Sequence, residues 1–568
     1  MRSLNVFTNP LTESLMYPKR IRNFRKINYE ERVLKRPYIG DQLDYEANNY
    51  WSYKRPIMLI APTGSGKTRY SVDKIVKRAV KLREYVLILT NRNPLNTAYK
   101  QDISKAVGKD GIYTLEGLQS AYEFGYVYIV NYQGLDTFLK SHPHIKFSYV
   151  ICDECHYFLQ DATFSDCSGS VLDMIPRKFE FAIRIYISAT IDDILPYITR
   201  AELYDCNVDY DGNVLWKHFY LAQTYTGKYP LPIVYKMDAD YSKINLQFYE
   251  DIDQIIEYLK PQQSQIMAFC STKKECKKIG ESIGDSLVID SDYLHENPEI
   301  TKSLVEKEGF DEKCLATTSV FSNGNNISSK FVRSVIITLL DKTEIMQMAG
   351  RRRIDYFDPN DGFTLYLHIP SLSEIKQVIF RKQQQMNEIN KCKRNEVYLM
   401  SVIKDGGEFA ELIRNVFELD TKTMKYKLNY LCEDKFYTDI KYLEYLYALI
   451  SELGNDAYCT EIASMFNKSF DESMLFNPMD DRKKQLLSFV SEYGFPLSKD
   501  EFDDFKVDFL NERIKLFGLS KSDNNGSNRK VPGVRSINNR LAELGINIQI
   551  KQDKDLFILH TPESEVSE

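Results

Sequence analysis

The 568 residues exceed what one hydrophobic core organises, since single domains usually hold about 100–200 residues, so two to four domains are expected. Hydrophobic residues at 43% and charged residues at 27% exclude wholesale disorder. The 74 Lys and Arg against 80 Asp and Glu, a net charge of −6, exclude a uniformly basic coat protein but leave room for an enzyme with a local basic groove. The start lacks a basic segment followed by an apolar run, and no apolar stretch reaches about eighteen residues. A soluble intracellular chain, with neither signal peptide nor transmembrane segment, is therefore expected. Ten scattered cysteines fit reduced thiols.

Residues 1–50 read as a basic arm: the first 36 hold nine Lys and Arg against three Glu. The arm is either a solvated leader or a phosphate contact. Over residues 51–205 the runs PIMLIA, YVLILT, YVYIVN, YVICDE and RIYISA alternate with helical stretches such as Thr68–Leu82. Buried strands alternating with helices predict a parallel sheet covered on both faces. An irregular connection follows over 206–245, and a second alternating set over 246–372. Residues 373–520 are rich in Lys, Glu and Leu at helical spacing, and 521–568 hold a polar linker, a helix and a hairpin. The basic helix 376–394 reads as a solvated face with a packed stripe. The helix with Arg535, Asn538, Asn539 and Arg540, similar in outline to half a winged helix, reads as a docking appendage. The fold class is thus α/β, two tandem parallel-sheet domains with a mainly α-helical C-terminal extension.

The strongest motif is APTGSGKT, Ala61–Thr68, set between a strand and a helix. There Thr63, Gly64, Ser65 and Gly66 would turn backbone N–H groups toward phosphates, Lys67 would neutralise them, and Thr68 would ligate Mg²⁺. The run YVICDECH places Asp153 and Glu154 at a strand end, one for Mg²⁺ and one to position and deprotonate water. Cys152 and Cys155 have the CxxC spacing of a zinc or redox site, but their place among these carboxylates argues against zinc.

In that order GSGKT, DECH and YISAT resemble a superfamily 2 helicase, the group that includes the DEAD- and DEAH-box enzymes, with DECH as a variant box. The resemblance spans residues 56–370 and implies two RecA-like domains, ATP and Mg²⁺ as cofactors, and nucleic acid as partner. It implies that Thr90, Asn91 and Arg92, Tyr132 and Gln133, Ser271, and Thr317 and Thr318 meet the nucleic acid. Gly324 and Asn326 would face nucleotide, and His156, Ser188 and Thr190 would couple the two functions. QMAGRRRI implies catalytic roles for Gln347, Arg351 and Arg353. This motif is one residue shorter than QxxGRxGR, so the arginine finger is Arg353 or Arg352. The short form resembles origin-binding helicases of herpesviruses and related phage or plasmid proteins, which implies DNA rather than RNA and a replication setting. Gln42 is the candidate for reading adenine. Three further readings stay open: an ATP-gated clamp that separates no strands, an RNA helicase, and the motor of a nuclease or restriction assembly.

Overall fold

The computed structural model describes residues 16–35, 38–62, 64–91, 99–100, 102–103, 105–106, 121–124, 126–190, 192–217, 231–297, 299–318, 327–420, 423–517, 524–525, 528–529, 531–544, 546, 548–554 and 556–560. Strands β1 (Glu30–Val33), β2 (Ile57–Ile60), β3 (Tyr85–Thr90), β4 (Ala121–Phe124), β5 (Val127–Asn131), β6 (Phe147–Cys152) and β7 (Ile183–Ser188) belong to a first sheet. A hairpin of β8 (Cys206–Val208) and β9 (Val214–Trp216) follows, and β10 (Ile233–Lys236) then returns to that sheet. Its order is β1–β10–β2–β7–β6–β3–β5–β4, parallel throughout except for the pairing of β4 with β5.

Two strands of this sheet redraw the expected boundaries. β1 pairs with β10, so residues read as a free arm and as a connection both enter the first domain. The sequence hides β1 because it is an edge strand, EERV, with no buried residue to give an apolar alternation. Residues of the central strands alternate between two cores: Ile57, Leu59, Val86 and Ile88 on one face, Met58, Leu87 and Leu89 on the other.

The second sheet comprises β11 (Ile244–Tyr249), β12 (Gln265–Phe269), β13 (Ser286–Ile289), β14 (Cys314–Thr317), β15 (Val332–Ile337) and β16 (Phe363–His368). It is wholly parallel in the order β11–β16–β15–β12–β14–β13. The two expected parallel-sheet α/β domains are therefore both present.

The chain divides into two compact units, residues 1–250 with 262–474, and 251–261 with 475–568. Both sheets and the helices to residue 474 lie in the first, so the helical extension expected as one block over 373–520 is split. Helix Tyr430–Leu453 is tied to the first α/β domain through a buried amide: Asn429 caps it and accepts from the Leu431 and Gly169 N–H groups. The Asn429 amide also donates to the carbonyl of Ser165 at 2.7 Å and to the hydroxyl of Ser168 at 2.8 Å. From the same helix Lys435 bonds Asp341 of the second α/β domain at 2.7 Å.

In the second unit, helices Pro478–Glu492, Lys499–Phe517 and Val534–Glu543 and the hairpin of Gln549–Asp553 with Leu556–His560 surround a core that includes Phe502, Phe505, Ile537 and Phe557. Leu497 pairs antiparallel with Phe557 of the hairpin as an isolated bridge. Among the described residues no helix is long and apolar enough to cross a membrane.

Candidate active site

Strand β2 ends at Ile60 and the phosphate loop follows; Thr63 lies outside the described residues. Gly64 and Gly66 have φ of +89° and +86°, a left-handed backbone that side chains with a Cβ resist. Lys67 opens the helix Lys67–Tyr70, which runs through a π-helical segment, Ser71–Val76, into Lys77–Leu82. Its Nζ donates to the carbonyls of Ala61 at 2.6 Å and Pro62 at 3.0 Å. Burial pushes the ammonium down to about 8; Arg353 and Arg351 add to the shift, while Glu154 and Asp153 oppose it. An ammonium held only by neutral carbonyls is poised to exchange them for phosphate oxygens.

The two carboxylates follow β6 as expected. Glu154 has φ of +49°, a strained backbone for a non-glycine residue. Burial raises Glu154, but the hydrogen bond from His156 and the nearby Lys67 and Arg351 outweigh it and hold the carboxyl at about 2. Burial, with Glu154 adjacent, raises Asp153 to about 6. Of the pair, Glu154 is the carboxylate whose charge His156, Lys67 and Arg351 favour, and Asp153 the one whose charge burial opposes.

Asp153 is fixed by two tyrosines. Tyr99 donates to its Oδ2 at 2.9 Å, and Tyr132 to its backbone carbonyl at 2.8 Å. The Thr68 and Ser71 side chains lie beside the Tyr99 phenol, whose titration burial and Asp153 push well up. Thr68 and Asp153 thus both lie beside the Tyr99 phenol, a hydroxyl and a carboxylate of the kind a hard divalent cation takes together with phosphate oxygens. Among the described residues no group of three or more His, Cys, Asp or Glu is placed to hold a metal by itself. Cys152 and Cys155 are free thiols buried in the core. Tyr99 was not legible in the sequence, where it is one more tyrosine in a helical stretch.

A chain of polar contacts leaves this pair for the second domain. His156 Nδ1 lies 3.3 Å from Glu154 Oε2 and 2.9 Å from Ser188 Oγ. The Ser188 hydroxyl accepts from the Thr190 N–H at 3.1 Å and donates to the Thr190 carbonyl at 2.9 Å. Gln347, on helix Lys342–Ala349, donates to Thr190 Oγ1 at 3.3 Å.

After that helix the chain pairs Arg352 with Ile327 as a parallel bridge: Ile327 N–H donates to Arg351 and Arg353 N–H donates to Ile327. Extended backbone sends alternate side chains opposite ways. Arg352 turns into its own domain, wholly buried in an ion pair with Asp361 and donating to the Val332 carbonyl at 3.1 Å. Arg353 turns toward the loop, where a Cβ added to Gly64 would stand 3.5 Å from its Nη1. Burial, and Arg351 beside it, lower the guanidinium to about 10.

The residues expected to meet nucleic acid divide. Gln133 and Ser271 are exposed and Thr318 is half-buried. The Ser271 hydroxyl is spent on Glu275, 2.8 Å away. Tyr132 is a correction: its ring is wholly buried and stacked on Tyr157, because its hydroxyl serves the Asp153 backbone. Thr90 and Thr317 are buried too, their hydroxyls bonded to Asn131 and to the Thr318 carbonyl. Asn91 is buried with its amide unpartnered among the described residues. Arg92, Gly324 and Asn326 lie outside those residues. Gln42 grips the backbone of Lys35 through both amide atoms, at 2.8 Å each, leaving its side chain no free edge for a base. Tyr38 was missed: it is exposed, and its ring would stand 3.8 Å from a Cβ at Gly66.

Two parallel-sheet domains, a phosphate loop with paired carboxylates on one and arginines facing it from the other define a two-domain P-loop nucleotide site. Residues 20–193 match the family described as "Type III restriction enzyme, res subunit", which takes in the loop, the DECH box and Ser188–Thr190. The resemblance to superfamily 2 helicases therefore holds for the first domain. Among solved structures, the Mycobacterium smegmatis helicase Lhr bound to ssDNA and AMP-PNP is similar at 12% identity and a TM-score of 0.39, over 74% of this chain and 61% of that one. The DUF1998 helicase MrfA bound to DNA gives 15% and 0.43, over 74% and 57%. A DEAD box protein from Methanococcus jannaschii gives 18% and 0.32, over 59% and 87%. The chain thus spans about three fifths of the length of the first two. A search of curated proteins gave no match.

Proposed function

We propose that this chain couples ATP hydrolysis to movement along nucleic acid or to its unwinding, with DNA as the substrate in preference to RNA. The observation that carries the reading is Arg353, borne by the second α/β domain and set against Gly64 of the loop on the first. A cation that completes the site only when two domains approach ties γ-phosphate departure to domain closure. The Glu154–His156–Ser188–Thr190–Gln347 contacts give closure a route to the catalytic carboxylate. Thr68 and Asp153 would hold Mg²⁺, which when bound neutralises phosphate charge. Tyr38 supplies an aromatic surface for the base. The match to the family of type III restriction enzyme res subunits and the short arginine motif support DNA.

ATP hydrolysis measured with single-stranded DNA, duplex DNA and RNA added separately tests the reading. DNA should stimulate most, and strand displacement should follow on the stimulating substrate. Indifference to every nucleic acid would sink the proposal, and stimulation without displacement would favour the clamp.

A further inference from the structure

Between residues 16 and 29 the chain carries Lys19, Arg20, Arg22, Arg25 and Lys26 and no carboxylate. This segment is docked on the first domain. Ile21 enters its core, and the Asn23 amide donates to the Val208 carbonyl at 2.8 Å. The docked segment forms one wall of an open cavity of about 460 Å³, whose other walls are helices Ser168–Lys178 and Leu195–Glu202 and the β8–β9 hairpin. Five cations line it, Lys19, Arg20, Arg177, Arg200 and Lys217, with one carboxylate, Asp173.

Two of the five are neutralised. Arg20 pairs with Glu433 at 3.2 Å and Asp434 at 2.9 Å, and Arg200 with Asp173 at 3.5 Å. The other three form no ion pair among the described residues. Arg177 lies over the Tyr204 ring at 5.5 Å, and Lys217 rests on the Tyr204 carbonyl. Lys19 has no ion-pair partner among the described residues. Glu180 and Asp205 are near Tyr204 but outside the lining. Cations gathered in a concavity raise its potential and attract anions. Lys26, farther along the same segment, lies over the Tyr210 ring at 3.5 Å, and cations spread along a segment suit a chain of phosphates better than one small anion.

The cavity is not the nucleotide site. Arg184, at the start of β7, bonds Glu202 at the end of its helix, so the cavity sits where the strands begin. The phosphate loop lies where they end, about 20 Å away along a six-residue strand. We propose that this cavity is a second phosphate site, holding backbone phosphates of the nucleic acid on which the chain acts; it rests on the function proposed above.

The test uses the full chain and a labelled single strand and tailed duplex, with affinity read by anisotropy across a salt series. The triple variant Lys19→Ala, Arg177→Ala, Lys217→Ala should bind roughly tenfold or more weakly, its log–log salt slope falling by about 2, since each phosphate contact on a single strand contributes about 0.7. The charge-conserving triple Lys19→Arg, Arg177→Lys, Lys217→Arg should restore most of the affinity, which excludes misfolding as the cause. Unchanged affinity and slope in the Ala triple would overturn this site while leaving the proposed function standing. No binding by the wild type would overturn both. Millimolar inorganic phosphate that binds the wild type and not the Ala triple, with strand affinity equal in both, would reassign the cavity to a free anion and overturn the nucleic-acid assignment.

Discussion

Gln347 Nε2 stands 3.3 Å from Thr190 Oγ1, joining the helix that ends at the arginine motif to the turn that contacts His156 and, through it, Glu154. A hydrogen bond of this kind is worth about 0.5–1.5 kcal/mol net, so its loss should slow nucleic-acid-stimulated hydrolysis by a few-fold to about tenfold. Gln347→Ala and Thr190→Val should each do this, with ATP-analogue affinity little changed. The double variant should be no worse than either single one. Strictly additive losses would show that the pair does not act as a unit.

Adjacent arginines should separate cleanly. Arg353→Ala should cut turnover by about 10³-fold, the scale of an arginine finger, with analogue binding within a few-fold of wild type. Arg352→Ala strands Asp361 in the second domain's interior and should cost about 3–5 kcal/mol of stability. Thermal melting beside single-turnover hydrolysis reads both. Reversed phenotypes would mean that the alternation of side chains along this bridge is misassigned.

Tyr99→Phe keeps the packing of the ring and removes the donor to Asp153. Partners of a metal-ligating carboxylate are worth about 10–100-fold in metal affinity, so the Mg²⁺ concentration for half-maximal hydrolysis should rise within that range. A Mg²⁺ titration at saturating ATP measures it, and an unchanged midpoint would leave Tyr99 a packing residue.

The Asn429 amide reaches Gly169, and a Cβ on Gly169 would stand 2.7 Å from Asn429 Oδ1 and 2.8 Å from the Tyr430 ring. Gly169→Ala must therefore push helix Tyr430–Leu453 off its seat. Asn429→Ala removes an N-cap and leaves buried groups unpaired, together about 2–4 kcal/mol. Both should lower the melting temperature. Limited proteolysis should find new cuts near residue 429; full protection would count against this docking.

The sequence exposed what repeats a local rule. APTGSGKT needs glycines at positive φ and a helix after it, and the structure has Gly64, Gly66 and Lys67 so placed. Five apolar runs became β2, β3, β5, β6 and β7 because central parallel strands are buried on both faces. What stayed hidden depends on partners distant in sequence. β1 has no apolar pattern and exists because β10 pairs with it. Tyr132 sits in a loop resembling a nucleic-acid contact, yet only the fold shows its hydroxyl turned inward to Asp153. The choice between Arg352 and Arg353 turned on Ile327, whose bridge sets which side chain faces the cleft.

Asp434 makes a pH prediction whose sign follows from burial. Its side chain is 3% exposed beside Arg20, and burial raises the carboxyl to about 6 against the pull of that guanidinium. The unfolded value is about 3.9, so the folded chain holds this proton more tightly. Its contribution is fully present below about pH 4 and is lost as pH rises through about 6, a change of about 3 kcal/mol at most. Asp434→Asn cannot titrate. The melting temperature of the wild type minus that of the variant should therefore shrink between pH 4.5 and 7, by at least about 2 °C. Arg20→Ala should steepen the wild-type decline, because the cation that opposes burial is gone. Parallel profiles for wild type and Asp434→Asn would mean that Asp434 titrates alike in the folded and unfolded chains.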